Sequence, residues 1–284
     1  MRTARPGDGH GLALLAPAVV LVLAVVGVGV GSLVATSLGL MPLFGEARLS
    51  GRGFIEAAPD LFVGVRESLL IAAPSTALAL LVGVPAGLLL HAGAARARGA
   101  VGGAVGLVVA APHLVGAAAF ALLLSGGGSF ARLVEPIGQG WPELVGARWP
   151  VATVLVFAWK ESAFVALVVV ATLGTRVDDL ADAARTLGAT RFQRLRTVTL
   201  PLAAPGAAAA GIIVFVYAVG AYEVAWLLGG AYPEPLPVMA YRLYGSIDLA
   251  ARPQAAATAL VAITVAVAAA GSTIPVLRRL GAAR

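Results

Sequence analysis

The sequence contains no cysteine, which excludes disulfides, thiolate metal sites and cysteine nucleophiles. Its only histidines are His10, His91 and His113, too few and too scattered for a histidine-rich metal centre. Charge is scarce. Asp, Glu, Lys and Arg make up 12% of the 284 residues, where a soluble domain carries about 25%. Lysine is almost missing, Lys160 being the only one, so the net charge of +6 is an arginine charge. The arginines are scattered between apolar runs and form no basic stripe with interleaved aromatics, so the high isoelectric point does not indicate nucleic acid as a partner. No Gly-x-x-x-x-Gly-Lys-Ser/Thr phosphate loop occurs. Gly126-Gly127-Gly128-Ser129 has no base nearby and reads as a loop, not a nucleophile elbow. With neither a metal cluster nor an evident nucleophile–base pair, an intramembrane enzyme finds no support.

Apolar sequence fills the place of charge. Hydrophobic residues are 60% of the chain and mean hydropathy is +0.93. A chain this apolar cannot cover itself with polar surface, so its solvent is a bilayer. Six stretches have the roughly 20 apolar residues a spanning helix needs: 12–40, 68–91, 101–125 (carrying Pro112), 150–174, 206–229 and 254–276. All are rich in Gly and Ala, which let membrane helices approach closely. Pro74, Pro85 and Pro112 fall within them, either as ordinary tolerated prolines or as kinks around a pathway. The first stretch follows Arg2 and Arg5, yet it is about twice the length of a signal-peptide core and lacks a clean cleavage site, so it is expected to be retained.

With both termini on the inner side, inside segments hold twelve arginines (2, 5, 96, 98, 176, 185, 191, 194, 196, 278, 279 and 284) and outside segments hold seven (48, 52, 66, 132, 148, 242 and 252). The positive-inside rule therefore predicts cytoplasmic N- and C-termini. The expectation is an all-α, polytopic membrane protein with six transmembrane helices. Residues 1–11 form a cytoplasmic N-terminus, 12–276 the membrane domain with a cytoplasmic loop at 175–204, and 277–284 a cytoplasmic C-terminus.

Three ionisable residues fall inside the apolar stretches: Lys160, Glu161 and Glu223. A charge at mid-bilayer costs about 2.5–3.5 kcal/mol on insertion scales, so such residues face an interior or find a partner. They line a solute path or act as a gate, or Lys160 pairs with Glu223 to hold two helices together. Glu161 points about 100° away from Lys160 on a helix and needs a different partner. Tyr217, Tyr222, Trp226 and Tyr232 read either as an interfacial belt or as a surface on which solute stacks.

The inside loop 175–200 is the most informative segment. Asp178 and Asp179 sit where a helix N-terminus favours negative charge. Gly188 is placed to end that helix and turn the chain, 190–198 forms a second short helix, and Pro201 is expected to stop it and open the fifth span. Ala183, Ala184 and Leu187 share one face, Phe192 and Leu195 make a second patch, and arginines flank both. A small apolar face with a basic rim suits docking to a partner protein, and it equally suits an interfacial helix on anionic lipid.

Asp182-Ala183-Ala184, three residues, Gly188, nine residues, then Val198-Thr199-Leu200-Pro201 resembles the EAA loop of ABC importer permeases of the MetI-like kind. That family has Glu-Ala-Ala, three residues, Gly, nine residues and Ile-x-Leu-Pro, so the spacing matches throughout, with Asp182 for Glu and Val198 for Ile. Trp159-Lys160, with Phe164 and Leu167, is similar to the helix preceding the motif. Residues 222–253 resemble the closing region of the branch with polyamine, iron(III) and thiamine permeases, and the resemblance covers about 60–276. It implies a MetI-like permease bundle in the bacterial inner membrane and a pairing with a second permease subunit, the same or homologous. It also implies a coupling surface of Asp182, Ala183, Ala184, Leu187, Gly188, Phe192, Leu200 and Pro201, which seats in a groove of a cytoplasmic ATPase dimer. ATP and magnesium would bind that dimer, this chain holding no cofactor, and an extracytoplasmic binding protein would deliver the solute. Lys160, Glu161, Tyr222 and Glu223 are the pathway or gate candidates, and the branch leans towards a polyamine-like cation, a metal or another small ion. The rival expectation is a secondary transporter driven by an ion gradient through Lys160, Glu161 and Glu223.

Overall fold

A computed structural model describes residues 8–43, 45–138, 140–174 and 176–282. Arg2, Arg5, Thr175 and Arg284, on which part of the topology and loop reading rests, lie outside the described residues, as do the side chains of Arg176, Arg278 and Arg279. Among the described residues there are helices, turns and loops and no strand. The helices are α1 (Asp8–Ser37), α2 (Arg52–Ala92), α3 (Ala95–Ala110), α4 (His113–Leu124), α5 (Ser129–Val134), α6 (Val151–Leu173), α7 (Arg176–Thr186), α8 (Arg191–Arg194), α9 (Leu200–Gly220), α10 (Glu223–Leu228), α11 (Leu236–Tyr244) and α12 (Arg252–Ala282). Among the described residues six segments are long and apolar enough to cross a bilayer: Leu14–Ser37, Arg52–Ala92, His113–Val134, Val151–Leu173, Arg191–Gly220 and Leu249–Thr273.

Three of these differ from the expected spans, each for a local reason. The second helix begins at Arg52, not near 68, and runs 41 residues. At 1.5 Å per residue that is roughly 60 Å, about twice a hydrocarbon core, and its first turns carry Glu56, Asp60, Arg66 and Glu67. The third stretch is not one helix through Pro112. It breaks into α3 and α4, with Ala111 at φ −70°, ψ 125° and Pro112 at φ −61°, ψ 143°. Proline has no N–H to continue the ladder and pushes the residue before it out of the helical region. Pro74 and Pro85 meet the same objection, yet α2 runs through both without interruption.

The fifth segment is displaced. Pro201 does not stop a helix, because α8 continues through a π-helical turn, Leu195–Thr199, directly into α9. Leu200 N–H bonds Leu195 O, five residues back, and this wider turn, coming just ahead of a proline in the first turn of α9, lets the chain stay helical. The long helix ends at Gly220, short of the expected 229, and the chain breaks at Ala221 and Tyr222 before α10.

The chain divides into two compact units. The smaller comprises Met1–Pro59 and Ala240–Val261. In it the N-terminus of α2 lies so close to α12 that a Cβ on Gly53 would stand 2.7 Å from Pro253 O. Glu56 accepts a 2.8 Å bond from Gln254, and the Arg252 guanidinium stacks 3.9 Å above the Tyr244 ring. From Leu14 onward α1 exposes most of its apolar side chains, with Val30, Leu33 and Ala35 half-buried and Ser37 buried.

The larger unit comprises Asp60–Met239 and Ala262–Arg284 and is organised around α6. Val156 and Phe157 pack with Ala117 and Leu124 of α4 and Val224, Ala225 and Leu228 of α10. Further along, Val165, Val169 and Leu173 pack with Ala79 of α2 and Ala203, Ala210 and Val214 of α9. At Gly83 and Gly87 the backbone of α2 itself meets α6. A Cβ on Gly83 would lie 2.5 Å from Ser162 O, and one on Gly87 2.8 Å from Ala166 O. Two glycines four apart remove the side chains from one helix face, and that is how helices approach where lipid supplies no hydrophobic drive. Trp141 Nε1 donates to Leu124 O at 2.8 Å, tying the 140–150 loop to the end of α4.

Candidate functional site

The loop between α6 and α9 is a helix–turn–helix. Asp178 and Asp179 lie in the first turn of α7 and Arg185 in its last, each matched to the helix dipole. Gly188, at φ +85°, ends the helix. Its N–H donates to Arg185 O at 3.0 Å and Ala189 N–H to Ala184 O at 3.0 Å, the paired bonds of a left-handed C-terminal cap that only glycine enters cheaply. Thr190 then opens α8 with a capping box: its hydroxyl accepts from Gln193 N–H while Gln193 Oε1 accepts from Thr190 N–H.

This turn holds two large apolar side chains in solvent. Leu187 is 88% exposed and Phe192 70% exposed, beside the exposed Asp182, Ala183 and Leu195, with Ala184 half-buried. Arg185, Arg191 and Arg196 are exposed around them, Arg185 lying 3.5 Å from Asp182. Leu200 and Pro201 are also exposed but belong to the long helix beyond the π turn. On the other side, Asp178 Oδ1 lies 3.2 Å from His91 Nε2 at the end of α2. The approach is close but is not aligned as a hydrogen bond, since that buried nitrogen has no hydrogen-bond partner.

The membrane residues are arranged differently from the expected pairing. Lys160 does not meet Glu223. Its ammonium donates to Val108 O (2.6 Å), Val109 O (3.0 Å) and Ala111 O (2.6 Å), the carbonyls left open where α3 ends before Pro112. Glu161 reaches His113 Nε2 at 3.0 Å. Both Lys160 and Glu161 are buried, with 9% and 8% exposure. The His113 ring lies 5.2 Å from Tyr217, which also meets Phe157 edge-on at 6.0 Å. Glu223 begins α10 at the second helix break and is exposed, and Tyr222 stacks on Trp226 at 6.1 Å. His113 and Tyr217 complete this polar cluster. Only proximity in the fold assigns His113 to Glu161, and no spacing in the sequence signals it. Among the described residues no group of three or more His, Cys, Asp or Glu is placed to hold a metal.

Among the described residues, then, there are six segments of crossing length, a capped helix–turn–helix between two of them, and helices broken at Pro112 and at Ala221–Tyr222. The family described as binding-protein-dependent transport system inner membrane component matches residues 68–280. The chain is 30% identical over 191 residues to the molybdenum transport system permease protein ModB of Azotobacter vinelandii, covering 65% of this chain and 80% of that one. A shorter match, 52% identity over 52 residues and 18% of each chain, is to the spermidine/putrescine transport system permease protein PotB of Haemophilus influenzae. In fold it is similar to the crystal structure of a bacterial ABC transporter involved in import of the acidic polysaccharide alginate, with TM-score 0.71 at 20% identity and 96% of both chains covered. It is also similar to the MetNI methionine ABC transporter, with TM-score 0.61 at 22% identity, covering 79% of this chain and 98% of that one. The chain belongs to the binding-protein-dependent transport system inner membrane component family and is a multi-pass permease subunit of an ABC importer. The family is one of transport permeases, not enzymes, and it disfavours the gradient-driven alternative.

Proposed function

We propose that this subunit couples to a separate cytoplasmic ATPase dimer through the α7–Gly188–α8 turn and forms, with a second permease subunit, the pathway for a small cationic solute. The observation that carries the coupling is the exposure of Leu187 and Phe192 on a turn rigidly capped at both ends. Two large apolar side chains in water are unfavourable unless a partner covers them, and the basic rim of Arg185, Arg191 and Arg196 suits an acidic groove. ATP and magnesium act on that partner. Its closure moves the docked turn, and the continuous helix from Arg191 to Gly220 carries the displacement into the membrane as a rigid lever. In this reading both termini lie in the cytoplasm, the membrane domain spans 12–276 with its coupling loop at 175–204, and a binding protein approaches the opposite face.

The cationic solute follows from which charges remain available. Lys160 is consumed by backbone carbonyls, and the α9–α10 break carries the exposed Glu223 beside the half-buried Tyr222 stacked on the exposed Trp226. Carboxylate and aromatic faces together suit an ammonium. The test is co-purification and transport. The wild type should retain the ATPase subunit, and Gly188→Pro and Ala184→Arg should lose it while still inserting. Reconstituted with its partners, the complex should take up spermidine in preference to molybdate. Equal ATPase recovery in all three proteins would remove the turn from coupling, and preferred uptake of molybdate would remove the cation assignment.

A further inference from the structure

Lys160 and Glu161 are consecutive on α6, and they grip opposite sides of the same chain interruption. Lys160 takes three carbonyls on the near side of Pro112, those of Val108, Val109 and Ala111. Glu161 takes the first side chain on the far side, His113. The difference among the prolines makes the same point. α2 passes through Pro74 and Pro85 without a break, whereas the chain at Pro112 opens fully, leaving Val108, Val109 and Ala111 without helical donors. Unpaired carbonyls are costly in a membrane, and among the described residues the chain's only lysine is the donor that reaches all three. An ammonium is suited to this. It is a compact charge with three rotatable donors, matching three convergent oxygens, where a planar guanidinium would not. Gly116, one turn into α4, lies against Trp159, the residue preceding Lys160, with only 2.7 Å available to a Cβ, so α4 is seated on the same stretch of α6.

We propose that Lys160 and Glu161 form a clasp that fixes the α3–α4 interruption, and that Lys160 is a positioning residue of the pathway wall rather than a solute contact. The clasp sets where α4 starts, and with it the His113–Tyr217 contact that borders the polar cluster. Its relevance to transport rests on the permease reading above. The geometric claim stands apart from that reading and is tested apart from it.

The chain has no cysteine, so introduced cysteines are the only labelling sites. Leu107 near the end of α3 and Leu122 in the last turn of α4 are 76% and 72% exposed and lie on the two helices that the break joins. The full chain carrying nitroxides at Leu107→Cys and Leu122→Cys, in nanodiscs, should give one narrow interspin distance by double electron–electron resonance. Lys160→Met, close in size and without the charge, should lose that single distance, and Lys160→Ala should lose it and regain it in ethylammonium, which refills the carbonyl cage. An unchanged distribution in Lys160→Met overturns the clasp. A distribution in Lys160→Ala that stays broad in ethylammonium overturns the role of the ammonium. Should Lys160 variants fail to accumulate in the membrane, His113→Phe releases the other half, and an unchanged distance there overturns the proposal equally. None of these readings needs an ATPase or a solute, so failure of the coupling reading leaves them intact.

Discussion

Substitution of Gly188 tests the proposed coupling through the α7–α8 turn most directly, because its geometry separates backbone strain from packing. At φ +85° the residue is left-handed, and a Cβ there would meet nothing within 4 Å. Gly188→Ala therefore carries no clash and only the conformational cost of an L-residue in that region, about 1–2 kcal/mol. At about 1.4 kcal/mol per decade, the fully formed turn becomes about 5–30 times less populated relative to its alternatives. Asparagine tolerates the left-handed region, so Gly188→Asn should cost less than alanine. Proline fixes φ near −65° and removes the N–H that bonds Arg185 O at 3.0 Å, a cost of about 3 kcal/mol or more and upwards of a hundredfold in population. ATPase recovery and ATP-driven uptake should fall in the order Gly, Asn, Ala, Pro, with membrane insertion equal throughout. A flat series would refute the reasoning, as would an alanine variant as damaged as proline, since the first would mean that the turn need not be formed and the second that side-chain volume, not φ, is limiting.

Other outcomes follow from single contacts. Thr190→Ala removes one half of the α8 capping box and should cost about 1 kcal/mol, read as a modest loss of ATPase recovery that Thr190→Ser restores. Gly83→Leu drives a side chain into Ser162 O and Val165 across the α2–α6 contact and should lower the thermal midpoint of the purified chain more than Gly103→Leu, where a Cβ meets nothing. Glu223→Gln should raise the KM for spermidine and leave ATPase recovery unchanged, and an unchanged KM would take Glu223 out of the pathway. Leu187→Asp with Phe192→Asp should abolish ATPase recovery without loss of insertion, since both side chains are already in solvent and fold stability does not depend on their burial.

Membrane class, helical content and the Gly188 turn between two short helices could be read directly from the chain, because each rests on a local rule. Runs of about 20 apolar residues need no tertiary partner to be recognised, and Gly188 with the acidic first turn and Thr190 specifies its own caps whatever surrounds it. What failed locally failed where two rules competed. Three prolines of equal standing had three neighbourhoods, and Pro112 alone opens the chain, where Lys160 supplies donors to the freed carbonyls. Pro201 was a stop signal until a π turn ahead of it absorbed the proline. Two buried charges were bound to find partners, but a sequence does not state which atoms arrive within 3 Å. Composition required Lys160 and Glu161 to be satisfied, and only the packing of α6 against α3 and α4 decided that backbone carbonyls and His113 would satisfy them. Local chemistry sets what each residue needs, and the contacts that meet those needs come from residues about fifty positions away, brought into reach by the bundle alone.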